Sequence, residues 1–400
     1  MATLAWLAQR GPDAGIEPAT CLGILVVFPI LGTRLFRNWR LPPAVGAIAA
    51  GAILSQSNLL DATALASVTP FKDAGFVWLG LYLGTRISRV PTLTGSSAAS
   101  SLSIVVACAL LICLSTGFLP LTLLERLQIS LVGAFCAPVY TMLEPDHHRD
   151  EIGLTGLATA IAILLLGATE GIRALTESEA STPFLSAAAF YAVILLLTAE
   201  VAFRAVKLAV SGPGRYLVYV VLMGVLWRGA VFLGVHPGLL GGVFGIVFGF
   251  RTRRWQDTTT PLTEASSIVG PFVLGFVSAE IDWARLVDSP PEAWMVAAAV
   301  VIPMMIGKGI AGIVAGKLTR FDQQQWLTVY PLGLAAIVAL PTVIPERLFL
   351  GVVTPQEGLL PTLLVGAVGV PILVCLLERI GAYVASRRNV AASSGGMELT

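Results

Sequence analysis

The sequence predicts an all-α polytopic membrane protein with about thirteen transmembrane helices, and three observations support this fold class. Hydrophobic residues make up 56% of the 400 residues and charged residues only 12%, with a mean hydropathy of +0.83, whereas a soluble domain is about 25% charged. Apolar windows long enough to cross a hydrocarbon core of about 30 Å recur along the chain. Lysine and arginine are distributed unevenly between the gaps that separate these windows.

Thirteen apolar windows of about 16 to 25 residues define the predicted spans. Glycine and proline interrupt several of them, as is common in membrane helices. The polar gaps are too short to bury a soluble core, so we expect a single transmembrane domain over 1–400, with 386–400 as a disordered cytoplasmic tail. The predicted limits are 19–36, 41–57, 68–85, 98–119, 126–143, 152–170, 184–206, 215–233, 235–250, 265–281, 293–316, 325–344 and 359–384.

The distribution of positive charge predicts the orientation of the chain. Sixteen lysine and arginine residues fall on one side, in the gaps or near the adjoining ends of spans, and seven on the other, when Lys308 and Arg379 deep inside spans are left out. Because short cytoplasmic loops collect these residues, we expect the N-terminus outside and the C-terminus in the cytoplasm. That orientation requires an odd number of spans.

Several classes of function are disfavoured by composition and motif. The net charge of +1 gives no basic field for nucleic acid, and no glycine-rich nucleotide motif is present. The cysteines occur singly and are expected to be small core residues, and the histidines fall in predicted loops, so we expect no metal site, no cofactor and no enzymatic centre. The cysteines are Cys21, Cys108, Cys113, Cys136 and Cys375, and the histidines are His147, His148 and His236.

Lys308 is the most unusual residue of the predicted spans. It lies in "VIPMMIGKGIAGIVAG", residues 301–316, which is otherwise apolar. A lysine at the centre of a membrane helix costs about 2.5–3.5 kcal/mol on insertion scales, which makes it a candidate functional residue. Four interpretations stay open: a neutral amine produced by desolvation, a structural charge on helix C-termini, a ligand for an anion, or snorkelling to the inner face.

The other charged residues near spans are expected to form structural pairs. Glu200 and Arg204 are four residues apart, a spacing that favours an ion pair on one helix surface. Lys72 and Asp73 are neighbours and suggest an interfacial pair. Glu280 lies at a predicted outer mouth.

A series of motifs resembles one family of membrane proteins. The first span runs through "TRLFRNWR" into "LPPAVGAIAAGAILSQSNLL", followed by "DAGFVWLGLYLGTRISR"; later come "HPGLLGGVFGIVFGFR" and "IVGPFVLGFVSAEIDWARL". This order of basic turn, Leu-Pro-Pro and glycine-spaced helices is similar to that of the monovalent cation/proton antiporter superfamily, which includes bacterial sodium/proton antiporters and potassium efflux systems.

The resemblance implies an architecture. It implies two inverted six-helix repeats, here 19–170 and 215–384, joined by the linker helix 184–206. Each repeat would contribute one discontinuous helix, and the two would cross at the membrane midplane. The resemblance also implies a homodimer formed through spans 1 to 3 and 8 to 10, in the inner membrane of a bacterium.

The positions that match the crossed helices contain helix breakers. In span 5 the matching segment is 134–141 with Pro138, and in span 12 it is 329–337 with Pro331 and Gly333. Proline removes a donor from the helical hydrogen-bond ladder, as a discontinuous helix requires.

The resemblance also implies a site, and here the chain departs from the family. A lysine that follows a glycine, as Lys308 does, would face a pair of aspartates in span 6. Thr159 and Ala160 occupy the matching positions, and no Asp or Glu lies between Glu151 and Glu170.

Polar ligands are reduced elsewhere in the implied site. The family's threonine before the crossover proline is replaced by Cys136 here. Thr155 and Thr159 are candidate hydroxyl ligands for an ion, although threonines in membrane helices mostly bond their own helix.

Two functions stay open. The first is a secondary active transporter with an altered substrate or coupling, since the aspartate pair is absent. A small anion or a neutral solute suits the retained lysine better than sodium does. The second is a non-transporting membrane scaffold or sensor subunit that binds a partner protein.

Overall fold

The computed structural model describes residues 17–57, 60, 62–89, 95–134, 136, 157–162, 165, 169, 197–209, 212–233, 236–252, 260–319, 360–377 and 379–380. Within these ranges the chain is helical apart from turns and short 3-10 segments, and it forms no strand. The all-α class predicted from composition is therefore confirmed for this part of the chain.

Nine helices coincide with predicted spans, most of them to within a few residues, but the helix that begins at Leu123 ends at Gly133, whereas its span was predicted to reach 143. Residues 157–162 and 197–208 are also helical, and 360–377 is helical with a π-helical turn at Leu364–Gly369. The nine are α1 Pro18–Asn38, α2 Pro43–Gln56, α3 Ala62–Arg89, α4 Gly95–Ser115, α5 Leu123–Gly133, α6 Gly212–Leu233, α7 Pro237–Thr252, α8 Thr260–Glu280 and α9 Pro291–Thr319.

Six helical segments are long and apolar enough to cross a membrane: Pro18–Asn38, Ala99–Phe118, Pro213–Phe232, Thr260–Glu280, Pro291–Ala311 and Leu360–Leu377. The apolar helices α2 and α7 are shorter. The protein is thus an integral membrane protein. Most of predicted spans 6, 7 and 12 lies outside the described residues, so the count of thirteen stays a prediction.

Helix α5 begins three residues before its predicted limit because of a capping box. The Thr122 hydroxyl accepts from the Glu125 backbone N–H at 3.3 Å, and the Glu125 carboxylate accepts from the Thr122 backbone N–H at 2.7 Å. Two orphan N–H groups of the first turn are satisfied in this way. The helix ends at Gly133, immediately before the segment 134–141.

Contacts divide the chain into two compact units that the sequence visits alternately. The first contains most of α1 and α2, all of α3 and α6 to α8; the second contains α4, α5, α9 and the C-terminal helical segment. The first unit is Met1–Phe36, Gly46–Arg89 and Leu185–Val287, and the second is Arg37–Val45, Val90–Phe184 and Asp288–Thr400. The division of 1–400 into two repeats and a linker helix stays a prediction.

The first unit is built on direct backbone contact between α3 and α7. An ideal Cβ on Gly80 would overlap the carbonyl oxygen of Gly238, and one on Gly84 would overlap that of Gly242. Small residues allow membrane helices to approach until their backbones touch, which is a main source of packing energy in lipid. The glycine spacing noted in the sequence therefore has a structural cause.

An ion pair between α3 and α8 lies at one end of this unit. Lys72 Nζ is 2.6 and 2.8 Å from the two carboxylate oxygens of Glu280, and it lies 5.3 Å from the centre of the Phe276 ring. The sequence suggested Asp73 as its partner. The structure pairs Lys72 across helices instead, because Glu280 ends the neighbouring helix at the same level.

The predicted ion pair of Glu200 with Arg204 is present, and Glu200 also pairs with a second arginine. Arg204 Nε is 3.2 Å from one carboxylate oxygen of Glu200, and Arg251 of α7 is 3.4 Å from the other. This three-residue cluster joins the helical residues 197–208 to the end of α7.

The second unit is organised by antiparallel packing of α4 and α9. The Ser115 hydroxyl donates to the carbonyl of Ala299 at 2.6 Å, and the Cys108 thiol lies 3.8 Å from that of Met304. The residue nearer the start of α4, Cys108, thus contacts the residue further along α9, Met304, as expected for antiparallel helices. This arrangement places the middle of α9 against the middle of α4.

The turn between α1 and α2 is bound within the second unit. Arg40 adopts a left-handed backbone conformation with φ 56°, which costs a non-glycine residue about 1–2 kcal/mol. Its carbonyl accepts from the Cys375 thiol at 3.5 Å, and the carbonyl of Trp39 accepts from Arg379 at 3.3 Å.

Candidate functional site

The candidate site is centred on Lys308, in the middle of α9. Its side chain is 0% exposed, and it is among the largest fully buried side chains of the described residues. The snorkelling interpretation is wrong, since the amine lies inside the second unit instead of reaching its surface. A buried amine must be answered by nearby polar groups or charge.

Gly307 explains how α9 comes so close to α4 at this level. An ideal Cβ on Gly307 would lie 3.0 Å from both Cα and N of Cys108, closer than a side chain normally approaches a backbone. The absence of a side chain at residue 307 lets α9 contact the backbone of α4 immediately before Lys308. Glycine before the lysine is therefore a packing requirement.

Two cysteines flank the amine. Cys108 of α4 and Cys136, which follows the end of α5, are each 0% exposed. Lys308 interacts electrostatically with both thiols, and the two thiols interact with each other. The amine and the two sulfur atoms thus form one buried cluster.

Thr159 connects the helical residues 157–162 to this cluster. The backbone N–H of Cys136 donates to the Thr159 hydroxyl at 3.1 Å, and the same hydroxyl lies 3.5 Å from the Cys136 carbonyl. Thr159 is buried, and Ala160 beside it is half-buried. The residue that matches one aspartate of the resembled family therefore lies against the chain beyond the end of α5.

The structure brings together three of the predicted site residues: Lys308, Cys136 and Thr159. Thr155, Pro138, Pro331 and Gly333 lie outside the described residues, so the hydroxyl ligand and the crossing of the two broken helices stay predictions. Helix α5 does end at Gly133, one residue before the first predicted break.

Cys108 is the site residue that the sequence did not single out. It was expected to be a small core residue, and its burial agrees with that. No local pattern marks its position beside Lys308, because the two residues are 200 positions apart and meet only through the packing of α4 on α9. The only hint in the sequence was Lys308 itself, because a lysine in an apolar span needs polar partners on neighbouring helices.

Among the described residues, the cluster offers an amine, two thiols and a hydroxyl. Within the described residues no group of three or more His, Cys, Asp or Glu side chains is placed to hold a metal ion. The described part of the site therefore holds fewer ligands than tetrahedral zinc or a hard divalent ion requires.

Comparisons with known proteins identify the fold. No protein-family model matches the sequence, and a comparison with curated proteins also gives no match. Among solved structures, the sodium/proton antiporter MjNhaP1 from Methanocaldococcus jannaschii, determined at pH 8, is similar with a TM-score of 0.60 and 14% identity. The similarity covers 90% of this chain and 95% of that one. The protein therefore has a cation/proton antiporter fold.

Proposed function

We propose that the protein is a secondary active membrane transporter whose substrate or coupling differs from sodium/proton exchange through an aspartate pair. The observation that carries this proposal is the fully buried Lys308, which follows the glycine that packs on Cys108 and shares its unit with the buried Cys136. Transport folds place substrate sites near the membrane midplane, and an ionisable residue there is functional by default. The sequence supplies no carboxylate between Glu151 and Glu170 to act as the usual cation ligand.

The order of the two units supports an inverted-repeat architecture. Apart from the short turn Arg37–Val45, which belongs to the second unit, the chain passes through the first unit, the second, the first and the second again. Two repeats that each give their first helices to one unit and their last helices to the other would produce this order. We propose that the repeats are 19–170 and 215–384, that they carry the crossed helices, and that the N-terminus is outside.

The implied assembly is a homodimer in a bacterial inner membrane. Helix α6, which matches span 8, exposes Val220, Val221 and Val225. Such a face suits lipid or a second copy, and the family resemblance favours the copy.

Flux measurements in proteoliposomes test the transport proposal. We expect proton or tracer flux with at least one small ion or solute, lost in Lys308→Ala and retained in Arg285→Gln, whose exposed side chain pairs with Asp282 at 3.0 Å. Chloride and other small anions form one arm and sodium and potassium another. Sodium-driven proton release that Lys308→Ala abolishes, and that no other solute replaces, would show ordinary sodium/proton exchange instead.

The scaffold or sensor alternative is favoured by one contact. Thr159 and the backbone of Cys136 bond each other, so groups expected to bind an ion also serve a structural purpose. The absence of flux for every tested ion, together with stable co-purification of a second protein, would support this alternative.

A further inference from the structure

Two buried thiols occupy the same depth in the second unit. At the level of Gly133, α5 packs on Ile112 of α4, and an ideal Cβ on Gly133 would lie 3.7 Å from Cγ1 of Val300 in α9. One helical turn, about 6 Å, separates Ile112 from Cys108 along α4 and the same distance separates Val300 from Met304 along α9.

Because α4 and α9 are antiparallel, the step from Ile112 to Cys108 and the step from Val300 to Met304 run in the same direction. The 3.8 Å contact between the Cys108 thiol and the Met304 carbonyl confirms that these two residues meet. Cys136 follows Gly133 by three residues, at the end of α5. The two thiols, with the buried Met304 beside them, therefore converge in one layer next to Lys308.

The chemistry of this layer suits a soft cation. Thiolate and thioether ligands select ions such as Cu(I), whereas sodium and other hard ions prefer oxygen ligands. Zinc requires about four ligands in a structural site, and the described residues hold no larger group of metal-binding side chains. A set of two sulfur ligands suits a soft ion that accepts low coordination, and a monovalent ion also balances the charge of two thiolates beside a lysine.

We propose that Cys108 and Cys136 bind a soft monovalent cation, Cu(I) or its redox-inert analogue Ag(I), and that Lys308 supplies the charge that balances the resulting dithiolate. That the bound cation is a transported substrate rests on the proposed transport function. That the two cysteines bind the cation can be tested without any flux measurement. An anion held by Lys308 alone would make no use of either thiol.

The charges and protons of binding balance without a redox step. The empty site holds one positive charge, from a protonated Lys308 beside two neutral thiols. When the cation enters, two metal–sulfur bonds form and two thiol protons leave to water, since metal ligation requires deprotonated cysteine. The metal ion and the ammonium then neutralise the two thiolates, so the occupied site has no net charge, which is the favoured state in a buried environment.

Binding of Ag(I) to the full-length protein in detergent, in competition with glutathione, tests the proposal. The other three cysteines offer a matched control, the triple variant Cys21→Ser, Cys113→Ser and Cys375→Ser. We expect this control to retain one tightly held Ag(I) per chain and to release about two protons on loading. Adding Cys108→Ser or Cys136→Ser should weaken binding at least about 10-fold.

Lys308→Leu provides a readout that thiol chemistry alone would not move, because leucine adds no sulfur ligand to the site. It leaves every sulfur of the two cysteines in place but removes the balancing charge, so we expect weaker Ag(I) binding. X-ray absorption of the Ag(I)-loaded triple variant should show sulfur ligands only, and it requires no substitution at the site. This measurement keeps the proposal testable if a serine variant fails to fold.

Tight one-to-one binding that survives Cys108→Ser or Cys136→Ser would overturn the proposal, as would oxygen or nitrogen ligands in the absorption spectrum. Failure of the triple variant to hold Ag(I) against glutathione would also overturn it. If Ag(I) binds as expected but no ion crosses proteoliposomes, the site stands and the transport function falls. If another ion is transported and Ag(I) does not bind, the transport function stands and the site falls.

Discussion

The two units of the chain are stabilised in different ways. In the first, α3 and α7 meet through glycines whose carbonyls touch the opposite backbone, and the charged pairs lie at the helix ends. In the second, a lysine and two thiols are buried inside the packing of α4 and α9. Lipid offers little hydrophobic driving force between helices, so close packing is the cheaper way to hold them. Burying a lysine is costly, so close packing alone does not account for the second unit.

The largest expected effect is the loss of backbone contact in the first unit. Gly80→Leu would drive a side chain into the carbonyl of Gly238, and we expect a loss of at least about 3 kcal/mol in the free energy of unfolding, at or above the upper end for overpacking. Gly224→Leu is the matched control, since nothing lies within 4 Å of a Cβ built at its position. Thermal unfolding in detergent measures both. Equal midpoints for the two variants would show that the α3–α7 contact is unimportant.

A smaller effect is expected for the glycine of the second unit. Gly307→Ala places a methyl group 3.0 Å from the backbone of Cys108, so α9 must move by a few tenths of an ångström, at about 1–2 kcal/mol. Because the shift displaces Lys308, flux should fall by more than stability alone explains. Gly23→Ala, at an open position of α1, is the control. Unchanged flux in Gly307→Ala would show that transport does not depend on the close contact of α9 with α4 at this residue.

The ion pair of the first unit should contribute less. Lys72 and Glu280 keep 16% and 34% of their side chains exposed, and a partly exposed pair is worth about 1 kcal/mol or less. We expect Lys72→Met to lower the unfolding free energy by about that amount and to leave flux intact. A double-mutant cycle with Glu280→Gln isolates the pair. A coupling energy well above this value would show a buried, functional pair.

The smallest expected effect on stability is at Lys308. Replacing a buried charge by an apolar side chain of similar length is often neutral or stabilising, so Lys308→Met should unfold at an equal or higher temperature while losing flux. Lys72→Met should instead lower the unfolding temperature and leave flux intact. Loss of folding in Lys308→Met would indicate that the amine has a structural role.

The sequence was sufficient for the helices because their signal is local. Apolar windows located α1 to α9, and the early start of α5 came from a capping box formed by Thr122 and Glu125. The largest boundary difference is the end of α5, which is at Gly133 and not at the predicted 143. Glycine spacing also indicated close packing, but it did not identify which glycine meets which carbonyl. That depends on the relative registration of two helices that lie more than 150 residues apart.

The site was only partly predictable for the same reason. Lys308 was conspicuous as a charge in an apolar run, and Thr159 and Cys136 were found through the family resemblance. Cys108 has no such mark, and the partner of Lys72 lies 208 residues away. Contacts of this kind are set by tertiary packing, which local composition does not encode.

The left-handed turn at Arg40 has a consequence for biosynthesis. The groups that donate to its carbonyls are 335 and 340 residues further along the chain, so a ribosome adding about 5–20 residues per second reaches them roughly 20 to 70 s later. Until then these two carbonyls lack the donors that they have in the folded chain. The second unit therefore gains these contacts only after Cys375 and Arg379 have been synthesised.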